Sequence, residues 1–225
     1  DPLRILRCFR FVSELNFKID LDLINSIKKN KGKLNLVAKE RINYEIQKIV
    51  LGANALESII LIKKINIFGT DNLYEESFYL DLEKINFAEL SKDEKEKFLP
   101  MFFIAQILDE MSLEKLKFSK ALITKIKLLR KWHFLLNKKN ITQLNELDRF
   151  TLHQELEMFL PAFVFYLPQN LRLDWINRWR DKDNKLFHPS NLLNGDVIKK
   201  NLKIEDGPIL GELLQYLSKE LAYKR

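Results

Sequence analysis

The sequence is poor in glycine, proline and cysteine. Six Gly and six Pro occur among 225 residues, and so few turn-forming residues disfavour a β-sandwich or barrel with many hairpins. The single cysteine, Cys8, excludes an internal disulfide framework and a cysteine-based zinc site. The longest apolar runs are far shorter than the roughly 20 residues that a membrane-spanning helix needs. We therefore expect an all-α fold and no membrane partner.

Hydrophobic spacing typical of helices runs through most of the chain. Ser91 and Glu94 form a capping-box pattern, and Pro208 stands where a last helix begins. Pro100 and Pro161 are expected to kink or divide two helices. The sequence predicts an elongated multi-helix array with helices over 1–17, 20–31, 40–51, 55–65, 74–86, 93–109, 112–137, 149–166, 170–181, 189–200 and 208–223.

Positive charge is concentrated at the two ends of the chain. The net charge is +7, and residues 1–50 hold 11 basic and 6 acidic side chains. Residues 171–225 hold 11 and 8, whereas the middle is close to neutral. Lysine and arginine bind polyanions by releasing counterions from phosphates, so nucleic acid is a candidate partner. The alternative is a lysine-rich surface that only contacts water.

A carboxylate and a guanidinium stand three residues apart at the start of the first predicted helix. Asp1 only accepts hydrogen bonds and Arg4 only donates them, and residues three apart on a helix can face the same way. Cytosine and adenine present an amino group beside an acceptor nitrogen, whereas uracil and guanine would turn a carbonyl toward the carboxylate. The pair predicts a site that selects C and A, unless Asp1 is only a helix cap with an ion-paired Arg4.

Two blocks of sequence resemble a known enzyme family. Residues 1–20 (DPLRILRCFRFVSELNFKID) and 40–52 (ERINYEIQKIVLG) resemble the neck region of the class II tRNA nucleotidyltransferase and bacterial poly(A) polymerase family. Residues 193–197 (LNGDV) and 206–211 (DGPILG) resemble the family's tail. Residues 70–180 match only in their helical character, so the resemblance covers both ends of the chain.

The resemblance implies a cytoplasmic enzyme that adds CCA to the 3′ end of tRNA from CTP and ATP. It divides the chain into a neck (1–68), a helical body (69–181) and a tail (182–225). It also implies that Asp1 and Arg4 read the base and that Arg7 and Arg10 contact nucleotide or RNA phosphates. Glu40, Arg41 and Glu45 would support the neck, and we expect i,i+4 ion pairs among them.

Catalysis in this family uses Mg²⁺ held by carboxylates on an N-terminal β-sheet head. No Gly-Ser pair followed by Asp-x-Asp, the pattern such a head needs, occurs in this sequence. We therefore read the chain as a fragment of a longer enzyme that lacks the catalytic head. Alone, it is expected to hold no metal, to bind RNA weakly and to be inactive.

Other residues are candidates for weaker or non-chemical roles. The histidines His133, His153 and His188 lack the spacing of metal ligands or of a His-Asp dyad, and we expect none to be catalytic. Trp175 and Trp179 are expected to pack in one seam. Candidate RNA contacts, each of which can instead be an ordinary helix surface or turn, are Lys127, Arg130, Lys131, Arg178, Arg180, Gly207 and Gly211.

Two alternatives to CCA addition stay open. A bacterial poly(A) polymerase, or an enzyme that adds only CC or only A, would share the Asp1–Arg4 pair. A non-enzymatic helical scaffold that binds RNA or a protein would share the basic ends. The sequence does not indicate the oligomeric state.

Overall fold

The structure is a computed structural model that describes residues 1–69, 78–138, 141–189, 194–203, 205 and 207–223. Within these ranges the regular elements are helices and no strand occurs, which confirms the predicted all-α fold. The α-helices are α1 (Arg4–Leu15), α2 (Leu21–Asn30), α3 (Lys39–Leu51), α4 (Ala55–Ile65), α5 (Lys92–Ile107), α6 (Glu110–Lys115), α7 (Lys120–Lys138), α8 (Glu146–Leu156), α9 (Leu160–Phe163), α10 (Gln169–Arg180), α11 (Gly195–Leu202) and α12 (Pro208–Ala222).

The chain forms two compact units, Asp1–Arg130 and Lys131–Arg225. The division into a neck, a body and a tail stays a prediction. Across the described ranges, no helix combines the length and the apolar character that a bilayer span requires.

The first unit is built around α1, which packs against α3 and α4, while α3 also packs against α5. Leu6 and Phe9 lie one turn apart on α1 and are fully buried. Ile46 and Ile49 of α3 and Ile59 of α4, the two helices that α1 contacts, are equally buried. Burying each of these side chains stabilises the fold by about 1.5–3 kcal/mol, so this three-helix contact fixes the position of the chain's first residues.

The end of α1 lies against the turn between α3 and α4 with no space for a side chain. A Cβ atom on Gly52 would lie 2.1 Å from the Ser13 Oγ and 2.7 Å from the Ser13 carbonyl carbon. The Ser13 hydroxyl donates to the Ile49 carbonyl at 2.5 Å, and the Ser13 carbonyl accepts from the Asn54 N–H at 2.8 Å. The predicted helix stop at Gly52 is confirmed, and close packing explains why glycine stands there.

Two predicted helix starts are confirmed. The capping box is present, because the Ser91 N–H donates to Glu94 Oε2 at 2.8 Å and the Glu94 N–H donates to Ser91 Oγ at 3.3 Å. Helix α12 begins at Pro208. Both starts carry strong local signals, since a side chain or a proline ring settles the first turn.

Four predicted helices are wrong in part. The one predicted over 189–200 begins only at Gly195, after the cap residue Asn194, and its residues 190–193 lie outside the described residues. Of 74–86, residues 70–77 lie outside the described residues and 78–86 hold only the 3₁₀ turn Leu82–Lys84. The helix predicted over 112–137 is two helices, because Lys117 adopts a left-handed conformation with φ of 59° between α6 and α7. The one predicted over 149–166 is divided at Glu157–Phe159, just before Pro161, as proline favours. Pro100, by contrast, lies inside α5.

Candidate functional site

A cleft of about 430 Å³ lies between α1 and α2, and we call it the first cleft. Both predicted base-reading residues, Asp1 and Arg4, line it. Its remaining lining combines an apolar surface with a few polar groups, contributed by Pro2, Ile5, Cys8, Leu23, Ser26, Ile27, Asn30 and Lys33. Partial burial raises the pKa of the Cys8 thiol, which keeps it protonated at neutral pH. A mainly apolar cleft with a few polar groups is typical of a small-ligand site.

The carboxylate of Asp1 is held by two donors. Its Oδ1 accepts from the Leu3 N–H at 3.0 Å, and its Oδ2 accepts from the Arg41 guanidinium at 3.1 Å. Its backbone carbonyl accepts from the Arg4 N–H at 3.1 Å. Asp1 therefore closes the first turn of α1, as a cap would, and each carboxylate oxygen keeps a lone pair for a further donor.

The Arg4 side chain is exposed and has no hydrogen bond or ion pair with any other residue that the structure describes. Its donors are therefore available at the first cleft, one turn from the restrained Asp1 carboxylate. Asp1 does not form an ion pair with Arg4, the alternative that the sequence left open, because its carboxylate pairs with Arg41. Asp1 and Arg4 therefore contribute an acceptor and a set of donors to the lining of the same cleft.

Arg7 and Arg10 have a carboxylate partner inside the protein. The Arg10 Nη1 lies 3.2 Å from Glu45 Oε2, and the Arg7 Nε lies 3.5 Å from Glu45 Oε1. Glu45 is only 3% exposed, and Arg10 also approaches Glu14 at 3.6 Å. The Arg7 side chain stays 43% exposed, so its contact with a phosphate remains a prediction. Arg10 would have to leave its carboxylate partners to contact a phosphate.

The three residues expected to support the neck have partners in other parts of the first unit. Glu40 pairs with Lys117, whose hydrogen bond is the main cause of the lowered pKa of the Glu40 carboxyl. Arg41 pairs with Asp1, and Glu45 pairs with the arginines of α1. The prediction of i,i+4 ion pairs within α3 is therefore wrong, because these side chains pair with residues far away in the sequence. That Glu40, Arg41 and Glu45 support the neck stays a prediction.

The basic cluster of α7 divides into exposed and buried members. Lys127 lies 3.2 Å from Glu114 and 3.5 Å from Glu110, and Lys131 lies 2.7 Å from Glu155. Arg130 is 8% exposed, and its guanidinium donates to the Leu108 carbonyl at 2.7 Å. Arg130 is therefore in the interior and does not lie on a surface that RNA reaches, whereas the two lysines remain candidates.

The candidates in the second unit lie on exposed helix surfaces. Arg178 pairs with Asp174 one turn earlier at 3.0 Å, and Arg180 donates to the Asn177 amide at 3.3 Å. A Cβ on Gly207 or Gly211 would meet no atom within 4 Å. Close packing therefore does not explain these two glycines, and their contact with RNA stays a prediction.

The histidines of the second unit are buried among aromatic rings and carbonyl groups. His153 is 1% exposed and lies 4.0 Å from the Phe187 ring centroid and 5.0 Å from that of Trp175. His188 lies 3.2 Å from Glu157 Oε1 and 2.6 Å from the Trp179 carbonyl. Their non-catalytic role stays a prediction. In the described part of the chain, no three His, Cys, Asp or Glu side chains are grouped so that they could hold a metal ion.

Sequence reasoning missed two residues of this site. Arg41 was expected to support the neck, but its guanidinium is the one that holds Asp1. Lys33 lies in the first cleft with Asp1 and Arg4 and was not singled out. Forty residues separate Asp1 from Arg41, and no local pattern links positions so far apart.

Comparisons with known proteins agree with the resemblance seen in the sequence. A family model described as the probable RNA- and SrmB-binding site of polymerase A matches residues 16–70. The CCA-adding enzyme of Ligilactobacillus salivarius is 27% identical over 99% of this chain and 55% of its own length. That of Staphylococcus aureus strain Newman is 23% identical over 96% of this chain and 55% of its own length. The CCA-adding enzyme of Limosilactobacillus reuteri is 41% identical over 59 residues, which are 26% of this chain and 15% of its own length.

The fold is similar to that of a solved structure. The crystal structure of the Bacillus stearothermophilus CCA-adding enzyme in complex with CTP has a TM-score of 0.61 and 16% identity, covering all of this chain and 57% of that one. The chain therefore spans about half the length of the curated relatives that it matches along its whole length. Together the comparisons confirm the resemblance to the tRNA nucleotidyltransferase and poly(A) polymerase family.

Proposed function

We propose that this chain is the nucleotide-selecting and RNA-binding part of a tRNA nucleotidyltransferase that adds CCA to tRNA 3′ ends from CTP and ATP. The observation that carries the proposal is the first cleft, where Asp1 and Arg4 lie together at the start of α1. The similarity to CCA-adding enzymes over 99% of the chain supports it.

The base-reading step follows from hydrogen-bond chemistry. The free lone pairs of Asp1 accept from the amino group of cytosine or adenine, and the Arg4 guanidinium donates to the neighbouring ring nitrogen. Uracil and guanine turn a carbonyl oxygen toward the carboxylate, where two acceptors face each other. A good bidentate contact of this kind is worth about 1–3 kcal/mol of discrimination, which is roughly 10- to 100-fold in rate.

We assign no step of the nucleotide transfer itself to the residues of this chain. Two Mg²⁺ ions, when bound, stabilise the attacking and leaving oxygens of such a displacement. Among the described residues, no group of three or more His, Cys, Asp or Glu side chains could hold a metal ion. In this proposal the metal site belongs to the rest of a longer enzyme. The chain itself binds RNA, orients the base and excludes the wrong one.

The test is nucleotide incorporation into tRNA that lacks its 3′ end. We expect the full-length enzyme to incorporate labelled C and A but not U or G, and the 225-residue chain alone to incorporate nothing. Replacing Arg4 with Ala in the full-length enzyme is expected to reduce the preference for CTP over UTP at least tenfold without unfolding α1, since Ala is a strong helix former. An unchanged preference at a normal rate would contradict the base-reading role, and incorporation by the isolated chain would mean that the chemistry lies within it.

A bacterial poly(A) polymerase, or an enzyme restricted to CC or A addition, is the second candidate. The family model that matches residues 16–70 is described for polymerase A, which supports this second candidate. Supplying CTP and ATP separately to the full-length enzyme tests this candidate, because a CCA-adding enzyme uses both nucleotides, whereas each of the alternatives uses only one of them. A non-enzymatic scaffold would bind tRNA without incorporating nucleotides, and replacing Arg4 would not change its tRNA binding.

A further inference from the structure

A lysine-rich segment connects α2 to α3. Residues 23–39 contain five lysines and no aspartate or glutamate. The segment includes the last turns of α2 and the 3₁₀ helix Lys31–Leu36. Of its lysines, Lys28, Lys29 and Lys33 are exposed, and we call these three the lysine strip.

The charges of the lysine strip are not neutralised locally. Across the described ranges, none of its three members has an ion pair, and none of their ammonium groups has a hydrogen bond. Two exposed lysines elsewhere in the first unit do have partners: Lys64 lies 2.6 Å from Glu83, and Lys84 lies 2.9 Å from Asp81. Unpaired surface charge of one sign is what a polyanion-binding surface needs.

The strip also borders the first cleft. Lys33 lines that cleft together with Asp1 and Arg4. The preceding residue, Gly32, lines a second cleft of about 400 Å³ on the first unit, which also contains Lys39 and Lys115. The 3₁₀ helix therefore contributes to two clefts that both carry lysine side chains.

We propose that Lys28, Lys29 and Lys33 bind backbone phosphates of the RNA whose 3′ end lies at the first cleft. This inference rests on the proposed function, because it takes RNA to be the polyanion. A selected base can join an RNA only if the RNA terminus lies beside it, and Lys33 is the member of the strip that lines the same cleft as Arg4. Ammonium groups contact phosphates as point charges, without reading the base.

The experiment measures binding of the 225-residue chain to tRNA lacking its 3′ end, at several salt concentrations. The test variant carries K28Q, K29Q and K33Q. The matched control carries K64Q, K84Q and K92Q, which removes the same charge from lysines that have carboxylate partners. We expect the test variant to bind about tenfold or more weakly at ~0.1 M salt and to reduce the slope of log K against log salt by about 2, since each phosphate contact contributes roughly 0.7–0.9.

The control variant is expected to change affinity by less than about threefold, and K28R, K29R and K33R together are expected to keep the wild-type affinity, because arginine also binds phosphate. Equal losses in the test and control variants would overturn the inference, since net charge alone would then explain binding. Binding of the wild-type chain to anionic vesicles but not to tRNA would also overturn it. Failure of the proposed function gives a different result, namely a full-length enzyme that incorporates no nucleotide although tRNA binding still depends on the strip.

Discussion

The Arg41 guanidinium lies 3.1 Å from the Asp1 carboxylate and joins the start of α3 to the first residue of the chain. The other carboxylate oxygen is held by the Leu3 N–H at 3.0 Å. With one donor on each oxygen, the carboxylate has little freedom to rotate, so the directions of its remaining lone pairs are fixed. A base-reading group must be held in this way, because geometry is what distinguishes one base edge from another.

Replacing Arg41 with Ala is expected to weaken base selection more than stability. The Arg41–Asp1 pair is partly exposed, with side chains 52% and 38% accessible, so its loss should cost no more than about 1 kcal/mol of unfolding free energy. Freed from Arg41, the Asp1 carboxylate can rotate, and we expect the ratio of kcat/KM for CTP over UTP to fall several-fold in the full-length enzyme. A merely structural role would lower the rates with both nucleotides equally and leave this ratio unchanged.

Glu45 and Glu40 provide a matched pair of glutamates on α3. Glu45 is buried between Arg7 and Arg10, whereas the pair of Glu40 with Lys117 is exposed. We expect Glu45→Ala to lower the unfolding free energy by about 2–4 kcal/mol, because it leaves two partly buried guanidinium groups without their partner. Glu40→Ala should change the unfolding free energy little, because an ion pair between exposed side chains contributes little to stability. Urea unfolding of the two variants measures the difference, and equal losses would mean that Glu45 does not stabilise the packing of α1.

Local signals in the sequence were sufficient for most helices but not for their interruptions. The capping box at Ser91 and the start at Pro208 depend only on neighbouring residues. The turn at Lys117 could not be predicted, because a lysine with φ of 59° occupies a position where the sequence has no glycine. The turn is closed by local backbone hydrogen bonds, from the Lys117 N–H to the Glu114 carbonyl at 3.0 Å and from the Phe118 N–H to the Leu113 carbonyl at 3.1 Å. The Leu116 carbonyl beside it accepts from the side-chain amide of Asn43 at 2.8 Å, 73 residues away.

The candidate site could be predicted in part for the same reason. Asp1 and Arg4 stand in one helical turn, so their spacing was informative, and both line the first cleft. The partners of Arg7, Arg10 and Arg41 come from other helices. The packing of α1 against α3 decides which of these charges stay free, and a single sequence does not encode that contact in any local pattern.

Gly52→Ala is expected to destabilise the first unit by about 1–3 kcal/mol or more. The added methyl group would lie 2.1 Å from the Ser13 Oγ and 2.7 Å from backbone atoms of the same residue, so α1 must move away from the turn. Gly32→Ala is the control, since a Cβ there meets no atom within 4 Å and should change stability by no more than about 0.5 kcal/mol. Thermal unfolding that shows equal Tm values for both variants would contradict the close approach.

The buried His153 is expected to make the stability of the second unit depend on pH. Burial, helped by the charges of Arg149 and Arg178, lowers the pKa of His153 to about 3 in the folded state from 6.5. The unfolded chain therefore binds a proton that the folded chain does not between about pH 6.5 and pH 3, and stability falls as the pH is lowered through this range.

The slope from this one group is at most about 1.4 kcal/mol of unfolding free energy per pH unit. His153→Leu removes the titrating ring but keeps an apolar side chain against Phe187 and Trp175. Its unfolding free energy, measured by urea titration from pH 7 to pH 5, should fall less steeply than that of the wild type, whatever the variant's stability at pH 7. Parallel curves for the two proteins would mean that His153 binds a proton in the folded state and is not held neutral by burial.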